Sequence, residues 1–172
     1  NWIASPHVKH PNGLKLFRHT IFTTDGNKVV SIPVQQTDGK ADVSNMRVLF
    51  QKSLTVLDDL NFYFPPNVSS SSSSSSYSSS SSSTLNVDEN NSSSQLPLLV
   101  VTDYVQSSLI FLRLDTGQKL YETSKFSFAA PSSVAQGVPP LFNRDQLIVT
   151  NKGVIRVHTP WGNYISYVNV AL

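Results

Sequence analysis

Short apolar runs separated by turn signals dominate the chain from residue 96 to its end. Residues 109–114 form one such run, Asp115-Thr116-Gly117 follows, and residues 118–122 form the next. A glycine in a short turn supplies the positive φ that a tight hairpin needs. Residues 146–150 and 154–158 flank a second turn at Asn151-Lys152-Gly153. The pattern predicts antiparallel strands with one buried face.

The first third of the chain shows the same organisation. Residues 14–22 read as one strand, and Asp25-Gly26 then signals a turn into residues 28–32. Asp38-Gly39 is a second turn signal, and residues 47–56 read as a further strand. This part of the chain is therefore also expected to be antiparallel β.

Helical patterning is nearly absent. Residues 102–107 could form one helical turn with Thr102 as its N-cap, and no other segment keeps a 3.6-residue period over ten residues. We therefore predict an all-β fold, with antiparallel strands in a barrel- or sandwich-like domain and at most one short helix.

A low-complexity segment divides the two β regions. Residues 69–83 are serine throughout except Tyr77. Serine buries too little apolar area to offset the entropy of ordering, so residues 67–95 are predicted to be a flexible surface loop. We interpret residues 1–172 as a single β domain carrying this loop. The alternative is a linker between two domains of about seventy residues each, which is marginal for independent stability.

Composition excludes several classes of function. The net charge is only +2, which gives no argument for direct binding of nucleic acid. Cysteine is absent, so disulfides and thiolate metal sites are excluded. No apolar stretch approaches the ~20 residues that span a bilayer, so no membrane insertion is expected. The chain begins at Asn1 without an initiator methionine and is interpreted as a fragment of a longer protein.

Residues that could carry chemistry are few. His7 and His10 could form a metal site with Asp25 or Asp42, but histidines in such a loop are expected to be solvated. No Gly-x-Ser-x-Gly and no phosphate-binding glycine loop occurs. We expect no catalytic site, no metal and no cofactor.

Two carboxylate features of the sequence could bear on function. Side chains of adjacent strand residues point in opposite directions, so Asp58-Asp59 is expected not to converge on one substrate and to be a solvated turn. Glu122 is expected to form an exposed or interface ion pair with Lys125.

Trp2 could stack on a sugar ring, and the alternative is a core tryptophan that anchors the first strand.

The whole chain resembles, in order, the C-terminal part of the protruding domain of calicivirus major capsid proteins, in the style of noroviruses. The resemblance rests on collinear segments rather than on one motif. These are Trp2-Ile3 with Pro6 and Pro11, residues 46–53, Leu96-Pro97-Leu98-Leu99 with Asp103-Tyr104-Val105, Asp115-Thr116-Gly117 with Leu120, Glu122 and Lys125, and residues 147–149 and 153–157 with Trp161.

This resemblance implies a non-enzymatic capsid protein on the virion surface, assembled in the host cytoplasm. Its protruding domain would form a homodimer and attach to a host cell-surface glycan or a protein receptor. The candidate glycan or receptor site is carried over to Trp2, Ala4, Ser5, Pro6 and His7. Ala4 replaces a serine of the family and lacks its hydroxyl, and Ser5 stands where the family has proline.

Two other functions stay open. Residues 112–121 also resemble a quinoprotein-type blade of a β-propeller, and residues 145–149 resemble an integrin-type repeat. A propeller should repeat its blade pattern, and no second copy at a fixed period is found in residues 1–66. The third interpretation is an unrelated enzyme domain whose active site lies on an upstream part of the protein.

Overall fold

A computed structural model describes residues 8–66, 96–153 and 164–170. These ranges form eleven strands and one short 3₁₀ helix at Val43–Asn45. The strands are β1 (Pro11–Phe17), β2 (Thr20–Asp25), β3 (Lys28–Pro33), β4 (Arg47–Gln51), β5 (Leu57–Tyr63), β6 (Leu98–Asp103), β7 (Ser108–Arg113), β8 (Lys119–Glu122), β9 (Pro131–Gln136), β10 (Gln146–Asn151) and β11 (Tyr164–Asn169).

The strands form three sheets, each of which follows the chain from one strand to the next. The first sheet has the order β1-β2-β3-β4, the second β5-β6-β7-β8, and the third β11-β10-β9. All neighbouring strands pair antiparallel. The predicted all-β class is confirmed, and the described residues contain no closed barrel.

The turns between strands agree with the sequence pattern at two positions and depart from it at a third. The turns at Asp25-Gly26 and at Asp115-Thr116-Gly117 are confirmed, with Gly26 at φ 60° and Gly117 at φ 70°. Residues 14–22 are not one strand, because Arg18 adopts φ 51° and folds β2 back onto β1. The turn contains neither glycine nor another residue typical of turns, so the sequence pattern did not reveal it.

The predicted helical turn at residues 102–107 is wrong. Thr102 belongs to β6, and residues 104–107 form the turn that joins β6 to β7. The short helix lies instead at Val43–Asn45, where the Asp42 side chain accepts a hydrogen bond from the backbone of Asn45. Apolar residues on both sides of the 104–107 turn favour the hairpin over a helix.

The first strands of the three sheets lie side by side and run in the same direction. At their beginnings, Asn12 of β1 contacts Asp58 of β5. At their ends, the rings of Phe17 and Phe62 are 5.3 Å apart. Strands β5 and β9 also lie side by side and run in the same direction. Asp59 contacts Ser133 at one end, and Phe64 and Gln136 exchange hydrogen bonds at the other. The sheets therefore radiate from neighbouring first strands, as successive blades of a β-propeller do.

Two apolar cores hold the sheets together. The core between the first and second sheets includes Phe22, Val29, Leu60, Leu99 and Leu112. The core between the second and third sheets includes Tyr63, Val100, Phe111, Val134 and Val149. Strands β5, β6 and β7 thus bury both of their faces, whereas the edge strand β8 is largely exposed. This explains why β6 is buried along its whole length and reads as a continuous apolar run.

The outward faces of the first and third sheets are less covered. Leu14 and Leu16 of β1 are 55% and 61% exposed, and Ile165 and Tyr167 of β11 are 68% and 65% exposed. The segment 67–95 lies outside the described residues, and β5 and β6 on its two sides are hydrogen-bonded neighbours. No helix among the described residues is long and apolar enough to cross a membrane.

A polar cluster where the three sheets meet

The polar cluster, formed by Asn12, Asp58 and Lys152, takes one side chain from each sheet. Asp58 is the second residue of β5 and is nearly buried. Its carboxylate accepts hydrogen bonds from the Asn12 side chain of β1 and, at 3.3 Å, from Nζ of Lys152, which follows β10. These partners are 46 and 94 residues away along the chain. The fold therefore assembles a carboxylate, an amide and an ammonium at one end of the molecule.

Small residues allow the first two sheets to approach closely beside this cluster. A Cβ on Gly13 would overlap the backbone of Asp59 and Leu60, so β1 can lie against β5 only with glycine at this position. The hydroxyl of Thr24 donates to the backbone oxygen of Asp58 at 2.8 Å and accepts from the backbone NH of Gly13 at 3.0 Å. Thr24 is fully buried, so this bridge fixes β1 relative to β5.

Asp59 is held by a separate set of partners. The Ser133 hydroxyl of β9 donates to its carboxylate at 2.7 Å. The Thr102 hydroxyl accepts a hydrogen bond from the backbone NH of Asp59 at 2.8 Å and donates one to the backbone oxygen of Asp59 at 3.1 Å. The expectation of a solvated turn at Asp58-Asp59 is wrong, because both residues belong to β5 and both side chains bond to neighbouring strands.

A buried ionic network lies under the loops at the same end of the second sheet. Lys52 Nζ pairs with Asp103 at 2.7 Å and also with Glu122. The Thr55 hydroxyl donates to Asp103, whose side chain is fully buried, and Lys119 pairs with Glu122 at 2.9 Å. The predicted Glu122–Lys125 pair is therefore wrong, since the partners of Glu122 are Lys52 and Lys119.

The network shifts the pKa values of Glu122 and Lys52. Burial alone would raise the pKa of Glu122, but hydrogen bonds from Lys52 and Lys119 outweigh it and lower that pKa from 4.5 to about 2. Burial alone would lower the pKa of Lys52, but its hydrogen bonds to Asp103 and Glu122 outweigh it and raise that pKa. Glu122 and Lys52 are therefore ionised at neutral pH, and the network holds the loops together.

The candidate glycan site of Trp2, Ala4, Ser5, Pro6 and His7 lies outside the described residues. The proposed partners of a histidine metal site have other roles. Asp25 accepts hydrogen bonds from the backbone NH groups of Lys9 and His10, and Asp42 caps the short helix. Residues 8–66, 96–153 and 164–170 contain no group of three or more His, Asp or Glu side chains that could hold a metal ion.

A groove elsewhere is less suited to chemistry. It has a volume of about 490 Å³, and Arg18, Arg47, Asp42 and Asp115 are among its lining residues. Asp42 already caps the helix, and Asp115 pairs with Arg113. These carboxylates bond only to residues two or three positions away, whereas the polar cluster gathers side chains from three sheets, so the polar cluster is the stronger candidate site.

Sequence signals for the polar cluster were weak. Asn12 and Gly13 resemble an ordinary turn, and Lys152 lies in a turn between two apolar runs. Sequence reasoning missed both residues because nothing along the chain connects them to Asp58. The carboxylate pair Asp58-Asp59 was the one signal present in the sequence.

Comparison with known proteins gives a likeness in fold. No family model and no curated protein sequence matches this chain. A solved structure of luciferin-regenerating enzyme is similar over 96% of this chain, with a TM-score of 0.59 and 17% sequence identity. The chain spans 46% of the length of that protein, which has a β-propeller-like fold. At this identity, the likeness establishes the fold alone.

This likeness corrects the functional prediction. The predicted capsid function is contradicted, because the similar structure has a β-propeller-like fold. The resemblance to calicivirus capsid proteins is itself not tested. The β-propeller alternative is the better-supported interpretation. The prediction that the protein is not an enzyme is also contradicted, since the similar structure is named as an enzyme. Neither the predicted homodimer nor the predicted virion location is tested by these findings.

Proposed function

We propose that this chain forms successive blades of a propeller enzyme that hydrolyses a small ester or lactone at the polar cluster. The observation that carries the proposal is the convergence of Asn12, Asp58 and Lys152, one from each sheet. Polar groups that converge from neighbouring sheets at one end of the molecule are typical of a small-molecule site. The exposed apolar faces of the first and third sheets support further blades on either side.

The three side chains have complementary chemical roles. Asp58 accepts a proton from water while the water oxygen bonds to the carbonyl carbon. The Lys152 ammonium, whose side chain is 61% exposed, is accessible to stabilise the negative charge on the carbonyl oxygen. The carbon–oxygen bond of the ester then breaks, and the leaving alkoxide takes the proton from Asp58. The Asn12 amide orients the Asp58 carboxylate through their hydrogen bond.

The cluster as it stands does not suit a hard divalent cation. Ca²⁺ and Mg²⁺ take six or more oxygen ligands, whereas Asn12 presents its NH₂ group to Asp58 and the Lys152 ammonium bonds the second Asp58 oxygen. The proposed polarisation of the substrate carbonyl therefore falls to Lys152.

The test measures hydrolysis of γ-butyrolactone and of p-nitrophenyl acetate by the purified protein, with Ca²⁺, with Mg²⁺ and with EDTA. Asp58→Asn should lower kcat/KM by about 100-fold or more, because it removes the general base. Asp115→Asn is the matched control, since Asp115 is an exposed carboxylate of another hairpin. Unchanged rates in a folded Asp58→Asn variant, or no hydrolysis by the unaltered protein, would contradict the proposal.

A further inference from the structure

Three loops at the same end as the polar cluster carry exposed apolar side chains. Leu54 is 89% exposed, Phe126 is 77% exposed and Val105 is 46% exposed. Leu54 lies between β4 and β5, Val105 between β6 and β7, and Phe126 between β8 and β9. We refer to Leu54, Val105 and Phe126 as the apolar rim. Exposed apolar groups gathered from three separate loops are typical of a surface that binds a ligand.

The backbone under the apolar rim is strained. Leu54 adopts φ 56° and Phe126 adopts φ 62°, a region that residues with a large side chain rarely occupy. Such strain persists only where the surrounding structure imposes it, and it is concentrated at ligand sites. Here Phe126 donates its backbone NH to the carbonyl of Gln106 at 3.0 Å, and the Gln106 side chain reaches the carbonyl of Leu54 at 3.5 Å.

The buried ionic network supports all three loops. Lys52 and Thr55, on either side of Leu54, both bond to Asp103. The Asp103 carboxylate also accepts the backbone NH of Gln106 at 2.9 Å. Glu122, the last residue of β8, precedes the loop that carries Phe126. The apolar rim is therefore preorganised, which lowers the entropy lost when a ligand binds.

The apolar rim is joined to the polar cluster through the backbone. The loop that carries Phe126 ends at Ala130, whose carbonyl accepts the backbone NH of Lys152 at 3.1 Å. The loop that carries Leu54 leads into β5 just before Asp58. The exposed apolar side chains thus continue into the loops and strands that position Asp58 and Lys152.

We infer that the apolar rim binds the hydrocarbon part of the substrate, so the substrate is an ester or lactone with an alkyl or aryl group rather than a sugar lactone. This inference rests on the proposed hydrolysis at Asp58. Each methylene buried against the rim is expected to raise kcat/KM by up to about fourfold. A sugar lactone would leave the apolar rim facing hydroxyl groups.

The test uses a series of γ-lactones with lengthening side chains: γ-butyrolactone, γ-hexalactone, γ-octalactone and γ-decalactone. For the unaltered protein, kcat/KM should rise along the series by about two- to fourfold per methylene. The ratio of kcat/KM for γ-decalactone to that for γ-butyrolactone should fall at least tenfold in Leu54→Ser/Phe126→Ser. Leu141→Ser is the matched control, because Leu141 is 84% exposed in the β9–β10 loop at the opposite end.

The outcomes separate the two proposals. Hydrolysis with a flat dependence on chain length would overturn this inference and leave the proposed hydrolysis standing. A rising series that Leu54→Ser/Phe126→Ser leaves unaltered would also overturn it, because the apolar rim would then not be the binding surface. Absence of hydrolysis with every lactone would overturn the proposed function and this inference with it.

Discussion

Replacing Glu122 by glutamine tests whether the buried ionic network holds the second sheet to the loops beside it. Glu122 is 18% exposed and pairs with both Lys52 and Lys119. A pKa lowered from 4.5 to about 2 corresponds to about 3 kcal/mol of stability at neutral pH. The neutral amide cannot form these ion pairs, so Glu122→Gln should lower the free energy of unfolding by about 2–3 kcal/mol at pH 7.

The dependence on pH gives the sharper test. Because the folded-state pKa of Glu122 is lowered, its contribution is fully present above pH 4.5 and is lost as the pH falls towards 2. The difference in stability between the unaltered protein and Glu122→Gln should therefore shrink to near zero by pH 2. Lys52 has a raised pKa, so its contribution is present below pH 10.5 and is lost at higher pH.

The assay is urea unfolding followed by circular dichroism at pH 7, 5, 4, 3 and 2.5. Asp115→Asn is the control, because its carboxylate pairs with Arg113 at the surface, where ion pairs contribute little. A difference between the unaltered protein and Glu122→Gln that stays constant from pH 7 to 2.5 would refute the proposed linkage. Equal stability at pH 7 would refute the structural role of the network.

Two further predictions concern the backbone. Gly117→Ala should lower the midpoint of thermal unfolding more than Gly26→Ala does. Both glycines have positive φ, but only a Cβ on Gly117 would overlap the carbonyl of Leu49. Equal midpoints for the two variants would contradict this prediction. Replacing residues 67–95 by six Gly/Ser residues should change stability by no more than about 1–2 kcal/mol, because loop closure depends weakly on length. A large loss of the thermal midpoint would show that the serine segment contributes to the fold.

Local sequence determined the strands and several of the turns. Alternating and continuous apolar runs are properties of neighbouring residues, so they indicated β structure without any knowledge of packing. Glycine at Gly26 and Gly117 marked turns because positive φ is a local requirement. The turn at Arg18 was not visible, because a residue with a side chain adopts its positive φ only under the constraint of the β1–β2 pairing.

The relation between the sheets was decided by tertiary structure alone. The capsid resemblance used the order of short segments, and such segments are compatible with more than one arrangement of antiparallel strands. The three sheets became blades because their first strands pack side by side, and that packing depends on residues such as Gly13 and Thr24, whose roles involve distant partners.

The polar cluster shows the same division between local and tertiary information. The sequence established that Asp58 and Asp59 point away from each other, and their partners in the structure are indeed different. The sequence could not show that β5 lies between the first and third sheets. This position lets both carboxylates form hydrogen bonds to side chains of those sheets. Asn12 and Lys152 reach Asp58 across 46 and 94 residues, a proximity that only the packed fold creates.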